Sequence, residues 1–155
     1  MNSLVISNIS VYKAISEEAY QKMQELIENG RTPKSDGSGG WVIKYDPEHN
    51  SFKQAMISIV FTGMWLEALM HLLIIKKHDI KTFKDYDFKS YEDKLSLLGC
   101  SDKNILNLAK RFRKCRKELV HEKAHLDKGE INEAQEEANN AHKLLISVSK
   151  YFANI

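Results

Sequence analysis

Ala55-Met-Ile-Ser-Ile-Val-Phe-Thr-Gly-Met-Trp-Leu-Glu-Ala-Leu-Met-His-Leu-Leu-Ile-Ile75 is apolar on nearly every side when wound as a helix. A helix of that kind has to be covered on most of its surface. These 21 residues are long enough to cross a bilayer. However, Glu67 and His71 lie inside the stretch and Lys53 just before it, and ionisable groups are costly in hydrocarbon. The better reading is a central helix with no membrane role, buried by its own bundle or by that bundle together with a partner chain. Ser58 and Thr62 are four apart, as are Glu67 and His71. They read as satisfied polar groups on a less buried strip. A sharper alternative puts Glu67 or His71 beside a functional groove.

Working outward, Asp46-Pro47 opens this helix, with proline near a first turn that does not need its N–H. The helix runs to about Lys77. Before it, Val11, Ala14, Ile15, Ala19, Met23, Leu26 and Ile27 recur at 3–4 spacing, predicting a helix from about Ser10 to Asn29. Gly30 suits a left-handed stop. A flexible loop is expected over about 31–46, with Trp41 to Tyr45 as an extended segment folded on the body. Gly37, Gly39 and Gly40 lack the strand before and the Lys-Ser/Thr after that a phosphate-cradling loop needs.

After the central helix, residues 79–89 read as a charged, aromatic connection. A short helix follows from about Ser90 to Leu98, stopped by Gly99. Ser101 or Asp102 then caps a long helix whose buried face is Ile105, Leu108, Phe112, Cys115 and Leu119. Cys115 is thus a small core residue rather than a nucleophile. The last helix, Glu130 to about Ala153, carries the stripe Ile131, Ala134, Ala138, Ala141, Leu145, Val148 and Phe152. The expected architecture is all-α: an up-and-down bundle of four long helices plus one short helix, in a single domain over residues 1–155, with no convincing sheet.

Composition agrees. Two prolines and seven glycines in 155 residues favour long regular elements. Two cysteines make no disulfide framework, and Met1 to Asn8 has no signal-peptide pattern, so a reduced cytoplasmic setting is expected. The net charge of +2 gives no general surplus for coating nucleic acid.

Charge is instead concentrated locally. Six of the eight residues in Lys110-Arg-Phe-Arg-Lys-Cys-Arg-Lys117 are basic, and Glu-Leu-Val-His121-Glu-Lys-Ala-His125 follows. Arginine supplies permanent charge for phosphate oxygens, and histidine moves protons near neutral pH. Arg116 and His121 lie about 140° apart on a regular helix. They meet at one phosphate only if the helix bends or ends, if the arginine reaches round, or if two copies of the helix share one groove. The last case predicts a symmetric dimer. His121-Glu-Lys-Ala-His125 also matches the H-E-x-x-H zinc pattern, but no third ligand is evident and Leu126-Asp-Lys-Gly129 breaks the helix. No metal is assigned.

Arg116-Lys-Glu-Leu-Val-His121, Phe61-Thr-Gly-Met-Trp-Leu-Glu67 and the lead-in Lys94-Leu-Ser-Leu-Leu-Gly99 together resemble the HEPN superfamily (higher eukaryotes and prokaryotes nucleotide-binding). Members are small, mostly dimeric helical bundles with Arg-x4–6-His on a late helix. The likeness covers residues 45–155, with 10–29 fitting the first helix. It implies a metal-independent endoribonuclease, without cofactor, acting as a toxin or phage-defence effector. Catalysis would rest on Arg116 and His121, and RNA binding on Arg111, Arg113, Lys114 and Lys117. Glu67 and His125 are candidate supporting residues. The implied partners are RNA, a second copy of the chain, and a cognate antitoxin or regulatory protein. The chain departs from the family at Lys117, where members often carry Asn, Asp or His. It departs again at Lys123, where an antitoxin-paired subgroup has tyrosine. Lys117 leaves open the alternative of a catalytically inactive HEPN-like module that binds nucleotide, RNA or a partner protein.

Overall fold

The computed structural model of the protein describes residues 8–44, 46–120 and 134–153. It is mostly helical. Helix α1 spans Ile9–Asn29. Strands β1 (Arg31–Pro33) and β2 (Trp41–Ile43) form a hairpin. Then come α2 (Asn50–Lys77), α3 (Ile80–Tyr86), α4 (Tyr91–Leu97), α5 (Lys103–Val120) and α6 (Ala134–Tyr151).

Helix α2 is central, as its apolarity requires: it packs on each of the other five helices. Its buried positions, Ala55, Ser58, Ile59, Thr62, Gly63, Trp65, Leu66, Met70, Leu73 and Ile74, form one broad face. Ile57, on the other side, and Phe52, at the start of the helix, remain exposed. The helix is long and apolar enough to cross a membrane, yet half of its most apolar window is buried by the protein itself.

The α1–α2 seam turns on hydroxyls. Ser16, Ser58 and Thr62 are all buried. Ser16 Oγ donates to the Ser58 carbonyl at 3.1 Å and lies 2.7 Å from Thr62 Oγ1. Ser16 has one proton to give, so Thr62 is the donor in the second bond. Ser58 and Thr62 are therefore satisfied, but at the centre of a seam rather than on a less buried strip. The buried stripe of α1 also differs from the expected one. It contains Ser16, Ala19 and Met23, while Val11 and Leu26 are exposed. A serine at a core position hides that register from a count of apolar residues.

Five further local readings need correction. The expected flexible loop at about 31–46 contains an antiparallel hairpin with Thr32 opposite Val42, and its turn places Gly37, Gly39 and Gly40 at positive φ. Trp41, Val42 and Ile43 do not fold onto the body; all three are exposed. Gly30 ends α1 at φ −87°, outside the left-handed region. Pro47 lies in a turn ahead of α2. Residues 79–89 contain α3, so the long helices are accompanied by two short ones. Asp79 caps α3, its carboxylate accepting from Thr82 N at 2.6 Å.

Other local readings stand. Ser90 and Asp93 form a reciprocal capping box at the start of α4. Gly99, at φ 94°, ends it with Gly99 N on Ser96 O and Cys100 N on Leu95 O, a Schellman closure. Asp102 caps α5 through Asn104 N at 2.8 Å. Ala134, Ala138, Ala141, Leu145 and Val148 of α6 are buried, as is Phe152 just after it.

Ser16→Ala should cost about 1–3 kcal/mol by leaving buried hydroxyl groups without a partner. Pairing it with Thr62→Val removes the stranded hydroxyl. The double variant should then lose less than the two singles added together, read from urea denaturation midpoints.

Candidate functional site

Three arginines of α5 leave the helix in three directions, and each ends on a carboxylate. Arg111 reaches α6: Nη2 is 2.7 Å from Glu137 Oε1 and 3.0 Å from Glu136 Oε1. Arg113 reaches α4 as a two-pronged pair, Nη2 to Glu92 Oε1 at 2.9 Å and Nε to Oε2 at 3.1 Å. Arg116 reaches both α2 and α4. Its Nη1 donates to Glu67 Oε1 and to the Tyr91 hydroxyl oxygen, each at 2.7 Å, and Tyr91 in turn donates to Glu67 Oε1 at 2.8 Å.

The Arg116 contact is built into the backbone of α2. A Cβ on Gly63 would come within 2.5 Å of Arg116 Nε and 2.9 Å of Cζ. The Arg116 side chain thus fills the space a Cβ would occupy. Glycine inside a helix costs about 0.5–1 kcal/mol relative to alanine, and here the vacated volume is filled by the arginine. Arg116 Nε is buried with no hydrogen-bond partner among the described residues. Burial on its own would depress the Arg116 pKa; the neighbouring Tyr91 oxygen and Glu67 carboxylate outweigh it and hold the guanidinium above its ordinary value. Tyr91 is buried against Phe112. Burial first, then the Glu67 charge, raises its phenol.

The lysines behave differently. Lys110, Lys114 and Lys117 are exposed and make no ion pair among the described residues. With Asn107, Arg111, Arg113 and Glu118 they line an open groove of about 620 Å³ along α5. Guanidinium groups match carboxylates through two parallel bonds, whereas ammonium groups stay well hydrated, so the arginines fasten and the lysines solvate. Of the expected RNA contacts all four are exposed, but Arg111 and Arg113 are engaged with carboxylates while Lys114 and Lys117 make no ion pair among the described residues. Lys110 joins the exposed row.

The expected set is thus partly brought together. Arg116 and Glu67 meet. His121 and His125 lie outside the described residues, as does the H-E-x-x-H stretch. His71 is four residues from Glu67 but stacks on Phe83, ring centroids 3.7 Å apart. Gly63 and Tyr91 join the site from outside the expected set. Gly63 had a legible signal, a glycine inside a helix with no stop to make; Tyr91 had none, because one aromatic among apolar neighbours reads as core. Among the described residues no group of three or more His, Cys, Asp or Glu is placed to hold a metal ion. No protein-family model, curated protein or solved structure matches the chain.

Gly63→Ala should cost about 1–3 kcal/mol through overpacking against Arg116. In an Arg116→Ala background the same change should become stabilising, by about 0.5–1 kcal/mol. A cost of equal size in both backgrounds would show that Arg116 does not occupy the slot. For Tyr91, the folded chain keeps a proton that the unfolded chain releases from about pH 10 upward. The stability this provides is full below pH 10 and falls above it, by up to about 1.4 kcal/mol per pH unit. Tyr91→Phe should flatten that fall in guanidinium melts between pH 9.5 and 11.

Proposed function

We propose that the protein is a metal-independent endoribonuclease of HEPN type, working as a cytoplasmic homodimer in a toxin or phage-defence role. The observation that carries this reading is the fixing of Arg116. A permanently charged group is held in a glycine slot by Glu67 and Tyr91, next to Lys117 on a helix that presents a row of exposed lysines. Preorganised charge of this sort is most useful where negative charge develops during a reaction.

In the proposed chemistry the ribose 2′-oxygen attacks the adjacent phosphorus and the P–O5′ bond breaks. The products are a 2′,3′-cyclic phosphate and a free 5′-hydroxyl. His121 accepts the 2′-hydroxyl proton, and a protonated histidine, supplied by the second chain, gives one to the departing 5′-oxygen. Arg116 stabilises the equatorial oxygens of the phosphorane. Lys114 and Lys117 hold the flanking phosphates, an attraction that carries little sequence information.

A second reading is favoured by the 2.7 Å pairing of Arg116 with Glu67, which offsets part of the arginine's charge, and by Lys117. It is an inactive module of the same fold that only binds RNA, nucleotide or a partner protein. One assay separates the two. Purified protein incubated with total RNA should yield fragments ending in 2′,3′-cyclic phosphate, unaffected by chelator. Arg116→Ala and His121→Ala should each lower the rate about 10²-fold or more. Cleavage that persists in both variants rules the nuclease assignment out, and RNA binding without any cleavage by the parent protein favours the module.

A further inference from the structure

Glu67 belongs to two sites. On one side its Oε1 accepts from Arg116 and Tyr91. On the other, Glu67 lines a groove of about 540 Å³ that runs along α2 under the α3–α4 turn. The other walls mix rings (Tyr12 from α1, the stacked pair His71 and Phe83, and Phe88) with aliphatic side chains and with the charged Asp87 and Lys94. Glu67 Oε2 accepts no hydrogen bond among the described residues.

Phe88 is the anomaly. It is 96% exposed, so it contributes nothing to the core. The turn that carries it is nevertheless held firmly. Lys94 is buried and donates from Nζ to the Asp87 carbonyl at 2.9 Å, and Lys89 N bonds Tyr86 O at 2.9 Å. Burying a lysine is costly unless it makes such a bond. An anchored backbone displaying a bare phenyl ring, beside an imidazole–phenyl stack, is the composition of a stacking platform. Stacking on aromatic side chains is how proteins hold unpaired nucleobases. The open carboxylate oxygen then selects among bases, since it can only accept, and the exocyclic amino groups of adenine, cytosine and guanine donate to it. Uracil offers only its ring N3–H, a donor flanked by two carbonyl oxygens that the carboxylate repels, so it is held more weakly.

We infer that this groove is a nucleobase subsite: it takes an unpaired, amino-bearing base of a single-stranded RNA whose phosphate lies at Arg116. The inference rests on the ribonuclease reading for its ligand. It adds the base class and the requirement for a single strand. Phe88 is a binding residue here, with no part in the chemical step.

The test uses full-length His121→Ala protein, to prevent cleavage, and three fluorescently labelled probes: hexacytidylate, hexauridylate, and a six-unit abasic ribose-phosphate chain with the same number of phosphates. Hexacytidylate should bind about tenfold or more tightly than the abasic chain. Hexauridylate should bind more weakly than hexacytidylate. Phe88→Ala should bring hexacytidylate down to the abasic level and leave the abasic chain unchanged. Circular dichroism checks the fold of that variant, and the exposure of Phe88 leaves little for the substitution to disturb. Equal binding of hexacytidylate and the abasic chain, or a preference that survives Phe88→Ala, overturns the subsite. The nuclease reading fails separately. Arg116-dependent cleavage without base discrimination sinks the subsite alone. Base discrimination beside cleavage that ignores Arg116 and His121 sinks the nuclease reading alone.

Discussion

Helix α2 cannot stand in water. Its side chains are apolar almost all round, and each helix packed against it removes part of that surface from solvent, at about 25 cal/mol per Å² of apolar area. The order of the chain follows from this demand. The longest helix occupies the middle, and α1, α5 and α6 form the walls around it. The short α3 and α4 cover what the long helices leave open. Polar atoms on α2 have to be satisfied within such a setting, and the Ser16–Ser58–Thr62 cluster and the Glu67–Tyr91–Arg116 cluster do this at two depths of the same helix.

The basic run of α5 resolves into two populations with different work. Arg111, Arg113 and Arg116 tie α5 to α6, to α4 and to the α2–α4 seam. Partly exposed ion pairs such as these add little to stability one at a time. Their collective effect is geometric, since they fix the rotation of α5 about its axis. With that rotation fixed, Lys110, Lys114 and Lys117 face outward together. Glu137 illustrates the price of the arrangement: it is buried, its Oε2 has no partner among the described residues, and it helps to push the neighbouring Cys115 thiol up to about 12, after burial itself. A thiol so raised is protonated and inert, consistent with a core role for Cys115.

Long, strongly periodic elements were legible in the sequence. The central helix, the buried face of α5 and the stripe of α6 follow from apolar spacing. Where a polar residue takes a core position, as Ser16 does, spacing alone misleads. Helix α3 fully buries no residue; its Ile80, Phe83 and Tyr86 recur over barely two turns among charged residues, too short a run to stand out from a connection. The hairpin escaped for a similar reason: Trp41, Val42 and Ile43 are all exposed, so the strand lacks the inside–outside alternation that betrays a half-buried one. Within the candidate site, charge and spacing pointed to Arg116 and Glu67 separately. That they touch, and that Gly63 and Tyr91 complete the contact, depends on the α2–α4–α5 packing, which no local pattern encodes.

The slot at Gly63 also bears on heredity. Arginine at 116 and any side chain at 63 compete for one volume, so the two positions behave as a single inherited character spread over two helices. A lineage that loses the arginine frees position 63 to drift toward alanine, which the helix prefers. Once alanine is there, the arginine cannot return to its place without a second change. Loss of this group would therefore be ratchet-like, and the record of it would be kept on α2.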